Sequence, residues 1–199
     1  MKKSQVFLKR IFDVILSISM ITIVSPIIFI SWFISTIETR SNGFFLQKRI
    51  GQNGKTFSIV KIKTMQPIIK NENRSSITSE NSQLITQSGH FFRKYKIDEL
   101  PQLINVLIGD MSFVGPRPDV PGYADKLTGE DRIILKLKPG ITGPASIKYK
   151  NEEALLKEQS NPKEYNDLII WPDKVRINKE YYFKYSFFKD IEYIIHTLK

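Results

Sequence analysis

Cysteine is absent from the chain, so it has no disulfide framework, no thiolate nucleophile and no Cys-ligated zinc. That usage fits a reducing, cytoplasmic setting. Histidine is nearly as scarce: His90 and His196 are the two present, and neither has a second imidazole at ligand spacing, so a zinc site is not expected. No P-loop occurs and no GxGxxG follows a strand-like run, which removes both common phosphate loops. Acidic residues are outnumbered, 20 Asp and Glu against 30 Lys and Arg in 199 residues. The ordinary apolar and charged fractions exclude wholesale disorder, and the basic excess points to a partner carrying phosphate: nucleic acid, a nucleotide substrate or an anionic lipid headgroup. The length holds one catalytic unit plus an appendage rather than two domains of ordinary size.

Charge of either sign is missing from 14–37, a run of Ile, Val, Phe, Leu and Trp long enough to cross a hydrocarbon core. No small-residue cleavage site follows before Glu38 and Arg40, which argues against a signal peptide. Ser25-Pro26 sits near the middle, where proline removes a helical hydrogen bond and predicts a sharp kink. Lys2, Lys3, Lys9 and Arg10 precede the run and Arg40, Lys48 and Arg49 follow it, so both flanks favour the cytoplasmic side. A broken helix that returns to its own face, with the Ser25 hydroxyl serving a freed carbonyl, meets these facts; a kinked spanning helix is the alternative.

Beyond the apolar run, Phe44 to Arg49 and Phe57 to Ile62 read as two strands around Gly51-Gln52-Asn53-Gly54, a β-hairpin. The polar stretch 71–88 reads as a surface loop of lid-like length. Leu100, Leu103, Ile104 and Leu107 predict one apolar face of a short helix ended by Gly109. Gly115-Pro116-Arg117-Pro118 and Lys138-Pro139-Gly140-Ile141-Thr142-Gly143 read as rigid turns, and 123–137 and 152–159 as helix-compatible. In 175–198, Ile177, Tyr181, Tyr185, Phe188, Ile191 and Ile195 form an aromatic-rich stripe that suits either a membrane interface or an ordinary core face.

Asp98-Glu99-Leu100-Pro101 opens the short helix. Asp98 in that place is an N-cap and Glu99 favours the helix dipole. Two adjacent carboxylates there also suit a divalent cation, and a carboxylate so placed can attack phosphorus. Lys61, Lys63, Arg93, Lys94 and Arg117 lie in segments with tight turns or strand edges, a set of charges that a diphosphate would need. Arg117, fenced by Pro116 and Pro118, loses little entropy when it grips a phosphate.

With these residues in view, the chain resembles, over nearly its full length, the small monotopic phosphoglycosyl transferases, also called bacterial sugar transferases. The resemblance rests on Lys9-Arg10-Ile11-Phe12-Asp13, Ser25-Pro26, Gln47-Lys48-Arg49-Ile50-Gly51, Lys61-Ile62-Lys63-Thr64-Met65, the block from Asp98 to Leu107, the block from Gly109 to Pro118, and Pro139-Gly140-Ile141-Thr142-Gly143. It implies an α+β fold, mostly helical with a small β-hairpin, an N-terminal re-entrant membrane helix over 1–40, a cytoplasmic catalytic domain over 41–199 and interfacial amphipathic helices. It also implies residence on the cytoplasmic face of a bacterial inner membrane, with Ser25 and Pro26 making the break. By the same resemblance, Asp98 attacks the β-phosphate of a UDP-sugar and releases UMP, and the phosphosugar passes to polyprenol phosphate, such as undecaprenyl phosphate. Glu99 completes the dyad, Mg²⁺ binds at Asp98 and Glu99, and Lys61, Arg93 and the Pro116-Arg117-Pro118 turn bind substrate. Membrane lipid is an expected partner and nucleic acid is not.

Lys63 and Lys138 stand where the family usually has Arg. Pro144 and Ser146 replace a common aromatic or Leu and a Gln, and Asn178 stands where an Asp is frequent, although nearby Asp173 offers a carboxylate. Two rival readings are a catalytically degenerate scaffold for other glycan enzymes and a membrane-tethered basic module binding nucleic acid or anionic lipid; the latter leaves Asp98-Glu99 unexplained.

Overall fold

Apolar residues on every side and no interior glycine make Lys3–Thr39 one helix, α1, of 37 residues. Its contour, roughly 55 Å at 1.5 Å per residue, exceeds a hydrocarbon core of about 30 Å. Pro26 cannot donate to Thr22, and the Ser25 hydroxyl donates to that carbonyl instead, at 3.1 Å. The helix is continuous across Pro26. Ile23, Phe29 and Ile37 are 75%, 63% and 62% exposed, a band of apolar surface that water would not tolerate on this scale.

The computed structural model describes residues 2–66 and 84–197. In chain order, α1 is followed by β1 (Phe44–Ile50), β2 (Thr56–Ile62), α2 (Gln87–Lys94), α3 (Gln102–Ile108), β3 (Ser112–Val114), β4 (Gly140–Thr142), α4 (Pro144–Lys148), α5 (Glu152–Lys157), α6 (Pro162–Tyr165), α7 (Trp171–Phe183) and α8 (Phe187–Thr197). Mostly helical architecture with a small sheet agrees with the sequence expectation, and the hairpin lies where it was read. The chain forms two compact units, Met1–Leu16 with Lys48–Phe57 and Val106–Lys199, and Ser17–Gln47 with Ser58–Asn105.

In the first unit, Ile50, Leu127, Ile134, Leu135 and Val175 make a buried core, with Trp171 packed against it. The residues 123–137 wind as 3-10 turns, Ala124–Lys126 and Gly129–Lys136, rather than as an α-helix. The second Gly/Pro element holds more order than a turn, since its β4 pairs in parallel with β3, which runs into the first: Ser112 with Gly140 and Val114 with Thr142. Gly115 and Gly140 are required there, since a Cβ on either would lie 2.2 Å from backbone of the other segment. The stripe expected over 175–198 is broken at Lys184, where α7 ends and the chain turns into α8. Phe188 is consequently 80% exposed, while Tyr181, Tyr185 and Asp190 are buried.

Asp190 ties this end to the start of α1. Lys9 Nζ lies 2.5 Å from Asp190 Oδ2, and the Tyr181 and Tyr185 hydroxyls donate to the same carboxylate at 2.6 and 3.2 Å. The next residue, Arg10, donates to the carbonyls of Val106 and Leu107 at 2.6 and 2.7 Å. Asp13 accepts from Ser112 Oγ and the Phe113 amide, both at 3.1 Å.

In the second unit, Ser35 Oγ near the end of α1 donates to Lys63 O at 2.5 Å, and Glu38 accepts from the Ser88 amide at 3.3 Å. The loop read over 71–88 lies mostly outside the described residues. Its last part belongs to α2, which begins at Gln87 because Thr86 caps it, its hydroxyl accepting from Gly89 N at 3.0 Å. The buried face of α3 is not the expected leucine stripe: Ile104 is exposed, whereas Leu103 and Asn105 are buried. Asn105 accounts for the rotation. It bridges the outer edge of β2, accepting from Val60 N at 3.1 Å and donating to Ser58 O at 2.8 Å.

Candidate active site

Asp98 and Glu99 sit in a tight 3-10 turn, Ile97–Glu99, entered through Lys96 at φ 57°. That left-handed residue reverses the chain after α2 and aims the two carboxylates back toward β2. Asp98 therefore does not cap α3, whose first residue is Gln102. Its side chain is buried, and Oδ1 has no hydrogen-bond partner among the described residues. A buried oxygen so left costs about 1–3 kcal/mol. Burial first, and then the adjacent Glu99 carboxylate, push Asp98 above the ordinary carboxylate range, while Lys61, Arg93 and Lys96 pull it down.

Each cation is positioned by its own element. Lys61, next to the last residue of β2, reaches Glu99 Oε1 at 2.7 Å, with both side chains less than a fifth exposed. Arg93, in the last turn of α2, donates from Nε to Thr64 Oγ1 at 2.9 Å, which spends one of its five donors on orientation. Gly89 permits the approach of α2 to this strand end, since a Cβ there would lie 2.4 Å from Thr64 O. The structure thus brings Lys61, Arg93, Asp98 and Glu99 together within one unit. Lys63 turns instead to Ser41 Oγ at 2.7 Å, and Lys94 lies 5.3 Å from the centre of the Tyr95 ring. Lys96 and Thr64 escaped the sequence reading. Lys96 lies two residues before the dyad, and proximity alone would have found it.

Pro116, Arg117 and Pro118 belong to the other unit. Their backbone is clamped on both sides of Arg117: Pro116 O accepts from Gly140 N at 2.7 Å, and Pro118 O from Arg49 Nη1 at 3.3 Å. Asp119 O accepts from Ile50 N at 2.9 Å. Arg117 is exposed on this fixed ribbon. Burial pushes the Asp119 carboxyl up to about 6, although Lys174, Arg49 and Arg117 draw it down. Nothing in the sequence marked Asp119, because its burial comes from long-range packing.

One departure from the family pattern, Asn178, has a structural counterpart. Asn178 is buried and its Oδ1 has no partner among the described residues. Asp173 does not stand in for the missing carboxylate. It accepts from Lys148 at 2.6 Å, Tyr149 at 2.8 Å and Arg176 at 2.7 Å.

A divalent cation fits Asp98 and Glu99 on the evidence of the unpartnered Asp98 oxygen. Among the described residues no three His, Cys, Asp or Glu side chains converge, so further ligands would come from water and substrate phosphate, as Mg²⁺ commonly takes them.

Residues 4–199 match the family model described as bacterial sugar transferase. The undecaprenyl-phosphate galactose phosphotransferase of Salmonella typhimurium is 36% identical over 167 residues, covering 76% of this chain and 34% of the relative. The Bacillus subtilis uncharacterized sugar transferase EpsL is 33% identical over 192 residues, covering 96% of this chain and 86% of the relative. The Escherichia coli UDP-glucose:undecaprenyl-phosphate glucose-1-phosphate transferase is 29% identical over 195 residues, covering 96% and 39%. The chain spans little more than a third of the length of the relatives named for a lipid phosphate acceptor among these three.

Proposed function

Because the chain belongs to the bacterial sugar transferase family, we propose that it moves a sugar 1-phosphate from a UDP-sugar to a polyprenol phosphate and releases UMP. This is the first membrane step of a glycan assembly such as an exopolysaccharide, capsule or O-antigen. The donor and acceptor classes are supported by the names of relatives, an undecaprenyl-phosphate galactose phosphotransferase and a UDP-glucose:undecaprenyl-phosphate glucose-1-phosphate transferase.

The observation that carries the reading is the buried Asp98 carboxylate, one oxygen unpartnered among the described residues, with Lys61, Arg93 and Lys96 acting on it. An oxygen held in this way is a nucleophile without a competing hydrogen bond. Asp98 attacks the β-phosphorus, the bond from that phosphorus to the bridging oxygen breaks, and UMP leaves with the electron pair. An oxygen of the polyprenol phosphate then attacks the same phosphorus, and the Asp98 carboxylate departs. Lys61 and Arg93 offset the repulsion between a carboxylate and a diphosphate, and Arg117 holds the nucleotide end from its stiff ribbon. Bound at Asp98 and Glu99, Mg²⁺ would supply further neutralisation of the diphosphate.

Re-entry of α1 into one leaflet from the cytoplasmic face of a bacterial inner membrane is part of the proposal. Lys9, Arg10 and Asp13 at its start bond to α8, α3 and β3. Ser35 and Glu38 at its end bond to the residues just after β2 and to α2. Lys2, Lys3, Lys9 and Arg10 before the apolar run and Arg40, Lys48 and Arg49 after it favour one and the same side, the cytoplasmic one. The Ser25 bond to Thr22 O removes the penalty of the carbonyl that Pro26 leaves without its helical donor.

A panel of UDP-sugars with Mg²⁺, scored by UMP release, tests the reaction. Without acceptor, rapidly quenched protein should gain the mass of one phosphosugar on the Asp98 peptide. An active enzyme that shows no adduct and needs both substrates bound together would instead transfer directly.

A further inference from the structure

Thr64 is 6% exposed and stands two residues beyond the end of β2. The chain there has little freedom. Lys63 N donates to Gly43 O at 2.7 Å, Lys63 O accepts from Ser35 Oγ at 2.5 Å, and Thr64 O accepts from Thr86 N at 3.0 Å. Bonds to the end of α1, to the residue before β1 and to the cap of α2 thus hold the Thr64 hydroxyl at one point.

That point meets Arg93, whose Nε donates to Thr64 Oγ1 at 2.9 Å. The backbone of Arg93 leads to the carboxylate pair: its carbonyl accepts from Lys96 N at 3.3 Å, and Lys96 O accepts from Glu99 N at 3.2 Å. The kind of anchor matters. A guanidinium held at Nε keeps its Nη1–Nη2 edge, which meets two phosphate oxygens side by side. A hydroxyl carries no charge, so it orients the group without neutralising it. Lys61 differs, being paired with the Glu99 carboxylate at 2.7 Å. An arginine without such an anchor gives up its rotamer freedom each time it meets a ligand.

We propose that Thr64 is a positioning residue of the phosphosugar transfer: it pins Arg93 so that the Nη1–Nη2 edge is already turned to the diphosphate when the UDP-sugar arrives. The inference rests on the reaction given under the proposed function and adds a residue that acts on it through Arg93.

The test is a double-mutant cycle in the full chain, read as UMP release from the UDP-sugar that turns over fastest. Thr64→Val keeps the branched shape and loses the hydroxyl. It should lower kcat/KM by about tenfold, the scale of one hydrogen bond to a charged group, and Thr64→Ser should restore most of the loss. In an Arg93→Met background, where no donor is left to pin, Thr64→Val should cost nothing more. Equal losses in both backgrounds, no loss in either, or a serine variant as poor as the valine one overturns the proposal. Should valine lower the thermal transition, Thr64→Ala takes its place in the cycle. A second readout needs no turnover: the nitrogen-15 signal of the Arg93 Nε–H in detergent, identified by its loss in Arg93→Met. Its exchange with water should be slow in the unaltered protein and in Thr64→Ser, and fast in Thr64→Val. Unchanged exchange in Thr64→Val overturns the proposal, whereas failure of the reaction itself would show as no UMP from any UDP-sugar.

Discussion

Replacing Asp98 with Asn keeps the size of the side chain and one oxygen but removes the charge whose burial is costly. Stability should hold or rise slightly, while UMP release falls by about 10³-fold or more, as for other lost nucleophiles. Thermal melts in detergent and a UMP assay check both halves, and loss of stability together with activity would point to a structural role. Arg117 calls for a different substitution. Its ribbon is fixed by backbone bonds at Pro116 and Pro118, so Arg117→Lys should leave the fold intact and lose the planar fork. A fall of about 10- to 100-fold in kcat/KM for the UDP-sugar is expected. Unchanged kinetics would return Arg117 to the class of solvated surface residues.

At the scale of elements, α1 depends on what grips its ends. The Lys9–Asp190 pair is buried and shares its carboxylate with two tyrosine hydroxyls. Removing one charge strands the other in low dielectric, so Asp190→Ala should destabilise by about 3–5 kcal/mol. Denaturant melts in detergent would measure that. Breaking the pair should cost more than breaking the exposed Arg176–Glu180 pair, where the expected loss is within about 1 kcal/mol. The Ser25-Pro26 pair answers to topology. Because the chain has no cysteine, single cysteines at Lys3 and Glu158 report cleanly, and both should label from the cytoplasmic side only. Pro26→Ala should move part of the Lys3 signal to the periplasmic side. Lys3 labelled from the periplasm in the unaltered helix would exclude re-entry.

For the whole molecule, the pH dependence of stability carries the imprint of Asp119. Its carboxyl is raised from 3.8 to about 6 in the folded chain, so the native state holds the proton that the unfolded state gives up first. Stability from this group is fully present below about pH 4 and is lost as pH rises to about 6, by up to roughly 3 kcal/mol. Asp119→Asn should flatten that segment of the profile and raise stability near pH 7. A profile of the variant that parallels the unaltered protein would show the carboxyl to be ionised in the fold.

Local chemistry was legible in the chain itself. The charge-free run 14–37, Ser25-Pro26, the hairpin with its Gly-Gln-Asn-Gly turn and the paired Asp98-Glu99 are all features of neighbours in sequence, and the motif blocks identified the family. Tertiary structure decided which face of α3 is buried, because Asn105 answers the edge of β2 rather than its own helix period. It also paired β3 with β4 through residues 28 apart in each register position, split the last amphipathic stretch at Lys184, and left Asp98 Oδ1 buried and unpartnered among the described residues instead of capping a helix. Periodicity and propensity report a residue's nearest neighbours along the chain. Burial, and with it the reactivity of Asp98 and the proton affinity of Asp119, is set by segments distant in sequence.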